Sequence, residues 1–187
     1  MMTLVLMAAL ALAAQKPLVE GNPSSRVRVV IYEDLQCPDC ANFRRMLDEK
    51  LLPKYAATVA FEHRDFPLPK HSWARKAAIA SRFFQEIDAA LALKFRRYLL
   101  FNLRAIQPGD FNERLAAFAR ENGCDPDKAV AALDTPTYAA AVEADVQEGI
   151  ARGVARTPTA FVNGAPFVET FTFEEISKAI DDALKQQ

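Results

Sequence analysis

Apolar and polar positions along the chain predict an ordered series of strands and helices. An apolar, β-branched run over Val27–Tyr32 predicts a buried strand. Pro38 suits the first turn of a helix, and apolar residues at helical spacing extend that helix to about Leu52, with Pro53 marking its end. Side chains that alternate with a period of two residues over Thr58–Phe66 predict a second strand. Strand, helix and strand in this order indicate a parallel βαβ unit with a right-handed crossover.

The middle of the chain has helical periodicity, and its last part returns to strand character. Five helices are predicted in the middle, over Trp73–Ile87, Ala89–Leu103, Phe111–Asn122, Asp127–Leu133 and Thr137–Gly153. Asn163-Gly164, between the apolar runs Thr159–Val162 and Pro166–Val168, is a strong hairpin signal. Phe173–Lys185 is predicted to be an amphipathic helix. A βαβ half and a ββα half, separated by a helical block, make an α/β protein with a thioredoxin fold around a mixed sheet.

This order also predicts the domain organisation. We expect residues 27–72 and 154–187 to form the thioredoxin-fold domain, with residues 73–153 as an inserted helical domain. Residues 15–26 are rich in turn formers and are predicted to be an extended, linker-like segment. The aromatic residues of the helical block are predicted to form its core or, in part, to line an apolar groove beside Cys37: Trp73, Phe83, Phe84, Phe95, Phe101 and Phe118.

The N-terminal segment, residues 1–14, is almost wholly apolar. It is too short to span a bilayer but fits the apolar region of a signal peptide, with Ala11-Leu12-Ala13 as a cleavage site. No Lys or Arg precedes the apolar run, so a retained anchor and a buried helix stay open as alternatives. Export would place the mature protein in a periplasmic or other extracytoplasmic compartment, where disulfides persist.

Composition and charge narrow the function classes. With 51% apolar residues in a chain of 187, the protein is globular rather than disordered. The 23 basic and 24 acidic residues leave a net charge of -1 and form no basic block, so nucleic acid is not an expected partner. Three cysteines are too few for a disulfide scaffold, and their chemistry therefore depends on where they lie.

Two of these cysteines form the motif Cys37-Pro38-Asp39-Cys40, between the first predicted strand and the helix. A sulfur at a helix start faces unpaired N–H groups and the positive end of the helix dipole, which favours the nucleophilic thiolate on Cys37. Cys40, three residues later, can resolve a mixed disulfide. A structural or metal-binding pair is the alternative, but a zinc site needs four ligands. The remaining candidates have no common zinc spacing, so we predict no metal site: Cys124, His63 and His71.

A second feature is Thr157-Pro158, immediately before the first strand of the second half. In a thioredoxin fold this position would hold a cis-proline that faces the cysteine pair. The backbone of the preceding residue could then bond an extended substrate strand. An ordinary trans-proline at a strand edge is the alternative.

With these motifs, the chain resembles the DsbA-like branch of the thioredoxin superfamily, which oxidises or isomerises disulfides in exported proteins. The resemblance covers residues 24–186 and is carried by four stretches: Glu33–Cys40, His63–His71, Gly153–Thr159 and Phe161–Gly164. It implies that Cys37 is the nucleophile and Cys40 the resolving thiol, and that no cofactor is needed besides the redox-active Cys37–Cys40 disulfide. It also implies residues that tune the pair: Pro38, Asp39, Thr157 and Pro158.

The chain departs from the resembled family at two positions. Strongly oxidising members carry His where this chain has Asp39. Because an anion repels the Cys37 thiolate, we expect a higher Cys37 pKa and a milder oxidant than those members. Many thioredoxin-fold enzymes carry a buried acid at the position of Ile31, so Glu33 and Asp34 become candidate proton acceptors for Cys40 or, alternatively, solvated charges at a strand end.

These observations predict an exported thiol–disulfide oxidoreductase that acts on cysteine-containing client proteins. The oxidase direction is favoured because no dimerisation domain typical of isomerases is visible, and an oxidase would need a membrane redox partner to recycle it. A reductase or isomerase, and a non-enzymatic thioredoxin-like chaperone or metal-binding module, remain as alternatives. Cys124 is expected to be a buried free cysteine.

Overall fold

The computed structural model describes residues 16–186 of the chain. The predicted signal segment, residues 1–14, lies outside the described residues. Five strands form one mixed sheet, and their bounds are β1 Leu18–Gly21, β2 Arg28–Glu33, β3 Ala60–Asp65, β4 Thr159–Val162 and β5 Ala165–Val168. Their order across the sheet is β1-β3-β2-β4-β5, with β2 and β3 parallel and the other pairs antiparallel.

Helices connect and flank these strands. The first, α1 Pro38–Met46, continues through a π-helical segment at Leu47–Leu51 into α2 Leu52–Tyr55. The others are α3 Ala74–Ile87, α4 Ala89–Phe101, α5 Phe111–Glu121, α6 Pro126–Ala131, α7 Pro136–Ala151 and α8 Phe173–Lys185, with 3-10 turns at Leu103–Ala105 and Ala132–Asp134. The predicted α/β thioredoxin fold is confirmed, whereas its division into two domains stays a prediction. No helix in residues 16–186 has the length and apolar character needed to cross a membrane.

The central strand β2 packs on both of its faces. Val29 and Ile31 are fully buried in a core shared with α1 and α8. Tyr32 points to the opposite face, because side chains alternate along a strand, and packs there with Phe66 and with Val146 of α7. Burial on both faces explains why the residues from Val29 to Tyr32 are all apolar.

One strand, β1, lies where the sequence predicted only a linker. Leu18 is 2% exposed and lies opposite His63 of β3. The next inward position is Glu20, whose carboxylate pairs with Arg44 at 2.5 Å and with the His63 ring at 2.9 Å. A charge at an inward position hides the apolar alternation that identifies a strand, so the periodicity of this segment could not reveal it.

The helix that begins at Pro38 also runs further than predicted, through Pro53 to Tyr55. A proline inside an α-helix has no N–H to donate, and its ring meets the carbonyl four residues earlier. Here the Leu52 N–H donates to the Leu47 carbonyl five residues earlier. This π-helical turn moves the hydrogen-bond pattern just before Pro53, so the helix direction continues past the proline.

The aromatic residues of the helical block form a core that is shared with Leu18 of β1 and with the cysteine pair. Trp73, Phe84 and Phe95 are at most 2% exposed, and Phe118 is 4% exposed. Phe101 does not belong to this core, because 45% of it is exposed, and it instead lines a groove that begins at Pro38, which was the predicted alternative. It is the last residue of α4, where the helix ends and its side chain reaches the surface.

Candidate active site

Cys37 and Cys40 lie where β2 leads into α1. Cys37 is the N-cap of α1, with φ −84° and ψ 126°, and Pro38 is the first helical residue. This placement suits proline, because the first N–H of a helix has no partner within the helix. Both cysteines are free thiols, with Cys37 4% exposed and Cys40 fully buried.

The loop that contains Thr157 and Pro158 faces this pair. The Cys37 sulfur lies 3.4 Å from the Thr157 carbonyl oxygen, to which the protonated thiol donates a hydrogen bond. The Thr157–Pro158 peptide bond is cis. The Glu169 N–H donates to the Pro158 carbonyl at 2.8 Å, which ties the loop to the end of β5. Thr157 and Pro158, although distant in sequence, therefore lie beside Cys37.

The two thiols have opposite electrostatic environments. The Cys40 thiol donates a hydrogen bond to the Cys37 sulfur, and backbone N–H groups and Thr157 make smaller contributions of the same sign. Together these contacts outweigh the effect of burial and lower the pKa of Cys37 to about 6. Burial raises the pKa of Cys40 well above its ordinary value, and the Cys37 sulfur adds to that increase. Near neutral pH the pair therefore holds a thiolate at Cys37 and a protonated thiol at Cys40.

Alkylation of Cys37 should follow this lowered pKa. We expect the rate of iodoacetamide modification of the reduced protein, in a Cys124→Ser background, to rise with a midpoint near pH 6. The ordinary cysteine pKa is about 8.5, so a plain surface thiol would titrate about 2.5 pH units higher. Mass spectrometry of the modified cysteine, followed against pH, makes the measurement.

Cys40→Ala provides the matched comparison, because it removes the largest contribution to the lowered pKa. We expect its alkylation midpoint to move upward. A midpoint that stays near pH 6 in that variant would show that the helix N-terminus alone stabilises the thiolate. A wild-type midpoint above pH 8 would contradict the proposed environment of Cys37.

Glu33, one of the two predicted proton acceptors, is a buried ion-pair partner. Its carboxylate lies 2.5 Å from the His63 ring and 3.1 Å from Arg96. Burial raises its pKa, but Arg96 and His63 outweigh that effect and hold the pKa at about 2. Such a weak base is a poor proton acceptor near neutral pH, and its fixed charge instead helps to raise the pKa of Cys40.

Asp34 has an environment that suits the predicted role of proton acceptor for Cys40 better than that of Glu33 does. Its side chain is fully buried and accepts hydrogen bonds of 2.7 Å from the Gln36 N–H, the Leu68 N–H and the His71 ring. Burial nevertheless raises the pKa of Asp34. Its backbone N–H donates to the Cys40 sulfur at 3.3 Å. Asp34 remains the candidate proton acceptor, and the sequence did not indicate its contact with His71.

Asp39 and the loop residues form the rim of a groove beside the pair. This active-site groove has a volume of about 570 Å³ and is lined by Cys37, Asp39, Lys70, Arg156 and Thr157, among others. Cys37 therefore reaches solvent through a cleft in which charged residues face an approaching polypeptide. Ile31, at the position of the acid found in many relatives, is fully buried in β2.

The residues considered as zinc ligands are dispersed. His63 bonds Glu20 and Glu33, and His71 bonds Asp34. Cys124, which was predicted to be a buried free cysteine, is free but only half-buried, and it packs against the core of the helical block. In residues 16–186, no three His, Cys, Asp or Glu side chains are arranged to hold a metal ion.

Comparisons with known proteins agree with this geometry. The family model for thioredoxin matches residues 13–182. A Rickettsia prowazekii protein provisionally named a protein-disulfide oxidoreductase is 27% identical over 184 residues, which cover 91% of this chain and 62% of that protein. The chain thus spans about three fifths of the length of this curated relative.

Solved structures show the same fold. Oxidised BdbD from Bacillus subtilis has a TM-score of 0.82 at 24% identity, covering 90% of this chain and 93% of its own. The alpha-DsbA1 protein of Wolbachia pipientis has a TM-score of 0.79 at 17% identity, covering 92% and 95% of the two chains. The chain therefore belongs to the thioredoxin family, and its fold is that of the DsbA-like members.

Proposed function

We propose that this protein is a thiol–disulfide oxidoreductase that exchanges a Cys37–Cys40 disulfide with cysteines of client proteins. The asymmetry of the two thiols carries the proposal. Cys37 lies at a helix N-terminus beside the Thr157 carbonyl and has a lowered pKa, whereas Cys40 is fully buried with a raised pKa. This is the arrangement needed for one attacking or leaving sulfur and one resolving sulfur.

In the oxidase direction, a client thiolate attacks the Cys37 sulfur of the disulfide. The Cys37–Cys40 bond breaks, and Cys40 leaves as a thiolate that takes up a proton. A second client thiolate then attacks the client sulfur of the mixed disulfide, and Cys37 leaves. The client gains one disulfide and loses two electrons, which remain on the reduced cysteine pair, so no separate cofactor is required.

Residues around the pair serve these steps. Thr157, beside Cys37, presents its backbone to an extended client strand in the active-site groove. Asp34 exchanges the proton of Cys40, because its buried carboxyl lies in the loop that also hydrogen-bonds the Cys40 sulfur. Pro38 and Asp39 occupy the first turn of α1 and set the environment of the Cys37 thiolate.

The lowered pKa of Cys37 supports the oxidase direction, because a stabilised thiolate favours the reduced protein and makes its disulfide a stronger oxidant. The apolar segment over residues 1–14 supports export to an oxidising compartment, where clients acquire disulfides. Each turnover leaves the pair reduced, so a membrane redox partner would have to restore the disulfide.

Equilibration of the protein with glutathione redox buffers tests the proposed function. The variant Asp39→His tests whether residue 39 sets the reduction potential of the Cys37–Cys40 pair. We expect the Cys37–Cys40 pair to interconvert reversibly between dithiol and disulfide. Replacing the Asp39 anion with a cationic imidazole should stabilise the thiolate and raise the reduction potential by about 30 mV, which is tenfold in the equilibrium constant. Thiol trapping and mass spectrometry give the oxidised fraction.

Asp127→His is the matched control, because Asp127 is an exposed residue at the start of α6. Its potential should equal that of the wild type. A cysteine pair that does not oxidise reversibly would sink the proposed function and leave a non-enzymatic binding module. An unchanged potential in Asp39→His would remove the tuning role of Asp39 alone.

A further inference from the structure

A second groove begins at Pro38, directly after Cys37. Its volume is about 570 Å³. One wall is a face of α1 that carries Pro38, Asn42 and Arg45. The other wall is formed by Phe101 at the end of α4 and by Arg104 in the 3-10 turn that comes after it. We call it the arginine groove. It opens beside the residue that would carry a client in a mixed disulfide, so a bound client chain passes close to it.

The charge of the arginine groove differs from that of the rest of the molecule. Arg45 and Arg104 are its only charged lining residues, and both are exposed. Neither has a carboxylate partner within residues 16–186, although ten other arginines of this region form ion pairs. Two unpaired cations thus face one cleft in a protein whose net charge is -1.

Arg45 is held in place within this cleft. Its guanidinium lies 5.7 Å from the centre of the Phe101 ring and donates to the Asn42 side-chain oxygen at 3.0 Å. A guanidinium has five N–H donors and binds carboxylates with two parallel hydrogen bonds. Phe101, 45% exposed beside it, offers an apolar surface to the same ligand. The groove therefore suits an acidic side chain that follows or precedes an apolar one.

We propose that the arginine groove binds a carboxylate-bearing segment of the client polypeptide, close in sequence to the cysteine that bonds Cys37. The proposal rests on the proposed function and names a class of substrate for it. From Pro38 to Arg45, α1 rises about 10 Å. An extended polypeptide covers that distance in about three residues. We therefore place the preferred Asp or Glu three or four residues from the client cysteine.

Binding of a redox-inert peptide tests the groove by itself. The probe is a fluorescent ten-residue peptide in which serine replaces the reacting cysteine and two Glu residues stand three and four positions away. Its partner peptide carries Gln at those two positions. By fluorescence anisotropy at low salt, we expect the wild-type protein to bind the Glu peptide about threefold to tenfold more tightly, as suits two exposed ion pairs.

The double variant Arg45→Gln/Arg104→Gln should lose this preference. Arg26→Gln/Arg120→Gln is the matched control, because Arg26 and Arg120 are exposed, lie outside the groove and change the net charge by the same amount. This control should keep the preference for the Glu peptide. Added salt should weaken the preference in both the wild type and the control. Equal binding of the two peptides by the wild type, or a preference that survives in the groove variant, would overturn the proposal.

Cysteine-containing versions of the peptides separate this proposal from the function on which it rests. We expect the oxidised wild-type protein to oxidise the Glu peptide faster by a similar factor. If neither peptide is oxidised while the binding preference is present, the oxidoreductase function fails and the groove stands. If both are oxidised at one rate and bound equally, the groove fails. Self-association that is lost in the groove variant, without a peptide preference, would assign the surface to a second copy of the chain instead.

Discussion

Replacing Cys37 with serine is expected to lower the rate of disulfide exchange with a model peptide by at least about a thousandfold. A hydroxyl is not ionised near neutral pH, whereas the pKa of the Cys37 thiol is lowered to about 6. The attacking or leaving thiolate at the N-terminus of α1 is therefore lost altogether. Stopped-flow measurement of peptide oxidation, with the redox pair pre-oxidised in the wild type, gives the rate.

Cys40→Ser and Cys124→Ser separate the roles of the other two thiols. Cys40→Ser keeps the Cys37 sulfur but cannot resolve a mixed disulfide, so a client–Cys37 adduct should accumulate and be visible by non-reducing electrophoresis. Cys124 is half-buried in the helical block and takes no part in the proposed exchange. Its serine variant should exchange at the wild-type rate. Retained exchange in Cys37→Ser, or loss of exchange in Cys124→Ser, would assign the chemistry to a different sulfur.

Replacing Arg96 with methionine is expected to destabilise the protein by about 3–5 kcal/mol. Arg96, whose side chain is 4% exposed, lies 2.7 Å from Asp65 and 3.1 Å from Glu33. Methionine fills a similar length but leaves two buried carboxylates with less compensating charge. Urea unfolding at pH 7, with the midpoint and slope fitted together, measures the loss. Arg96→Lys keeps the positive charge but lacks the planar guanidinium. Its stability should therefore lie between that of the wild type and that of Arg96→Met.

The pH dependence of this loss identifies its cause. Because the pKa of Glu33 is lowered in the folded state, its contribution to stability is present above its unfolded pKa of about 4.3 and disappears as the pH falls towards about 2. Arg96→Met has already lost part of that contribution, so the stability difference should narrow as the pH falls from about 4 towards about 2. Arg114→Met, which removes a partly exposed pair with Asp110, should change stability by less than about 1 kcal/mol at any pH. A loss of the same size in both variants would contradict a special role for buried charge.

The elements that the sequence predicted well are those with strong local signals. The Asn163-Gly164 turn lies between β4 and β5 where the hairpin was expected, and α8 has the predicted bounds Phe173–Lys185. Its N-cap Thr172 and Glu175 form a capping box, a local motif that fixes where a helix begins. The position of Cys37 at the start of α1 followed in the same way, because Pro38 marks a first helical turn.

What the sequence did not reveal depends on contacts between distant residues. The buried charges of Glu20, His63 and Glu33 satisfy one another across β1, β3 and β2, yet each alone is typical of a solvated surface. The same holds for Asp34, whose buried carboxylate contacts His71 from a different loop. Which charged side chains meet in the interior is decided by the register of the strands and by the way the loops fold. Neither the composition nor the periodicity of the sequence contains that information.

The edge of the sheet at β5 has a consequence for how molecules meet one another. Among residues 16–186, β5 pairs with β4 alone, and the N–H groups of successive residues point to opposite sides of a strand. The two-residue turn joins Val162 and Ala165, so the backbone nitrogens of Pro166 and Val168 face outward. Since proline has no N–H to offer a neighbouring strand, the open edge lacks a donor at its centre. Pairing between the β5 edges of two molecules is therefore disfavoured.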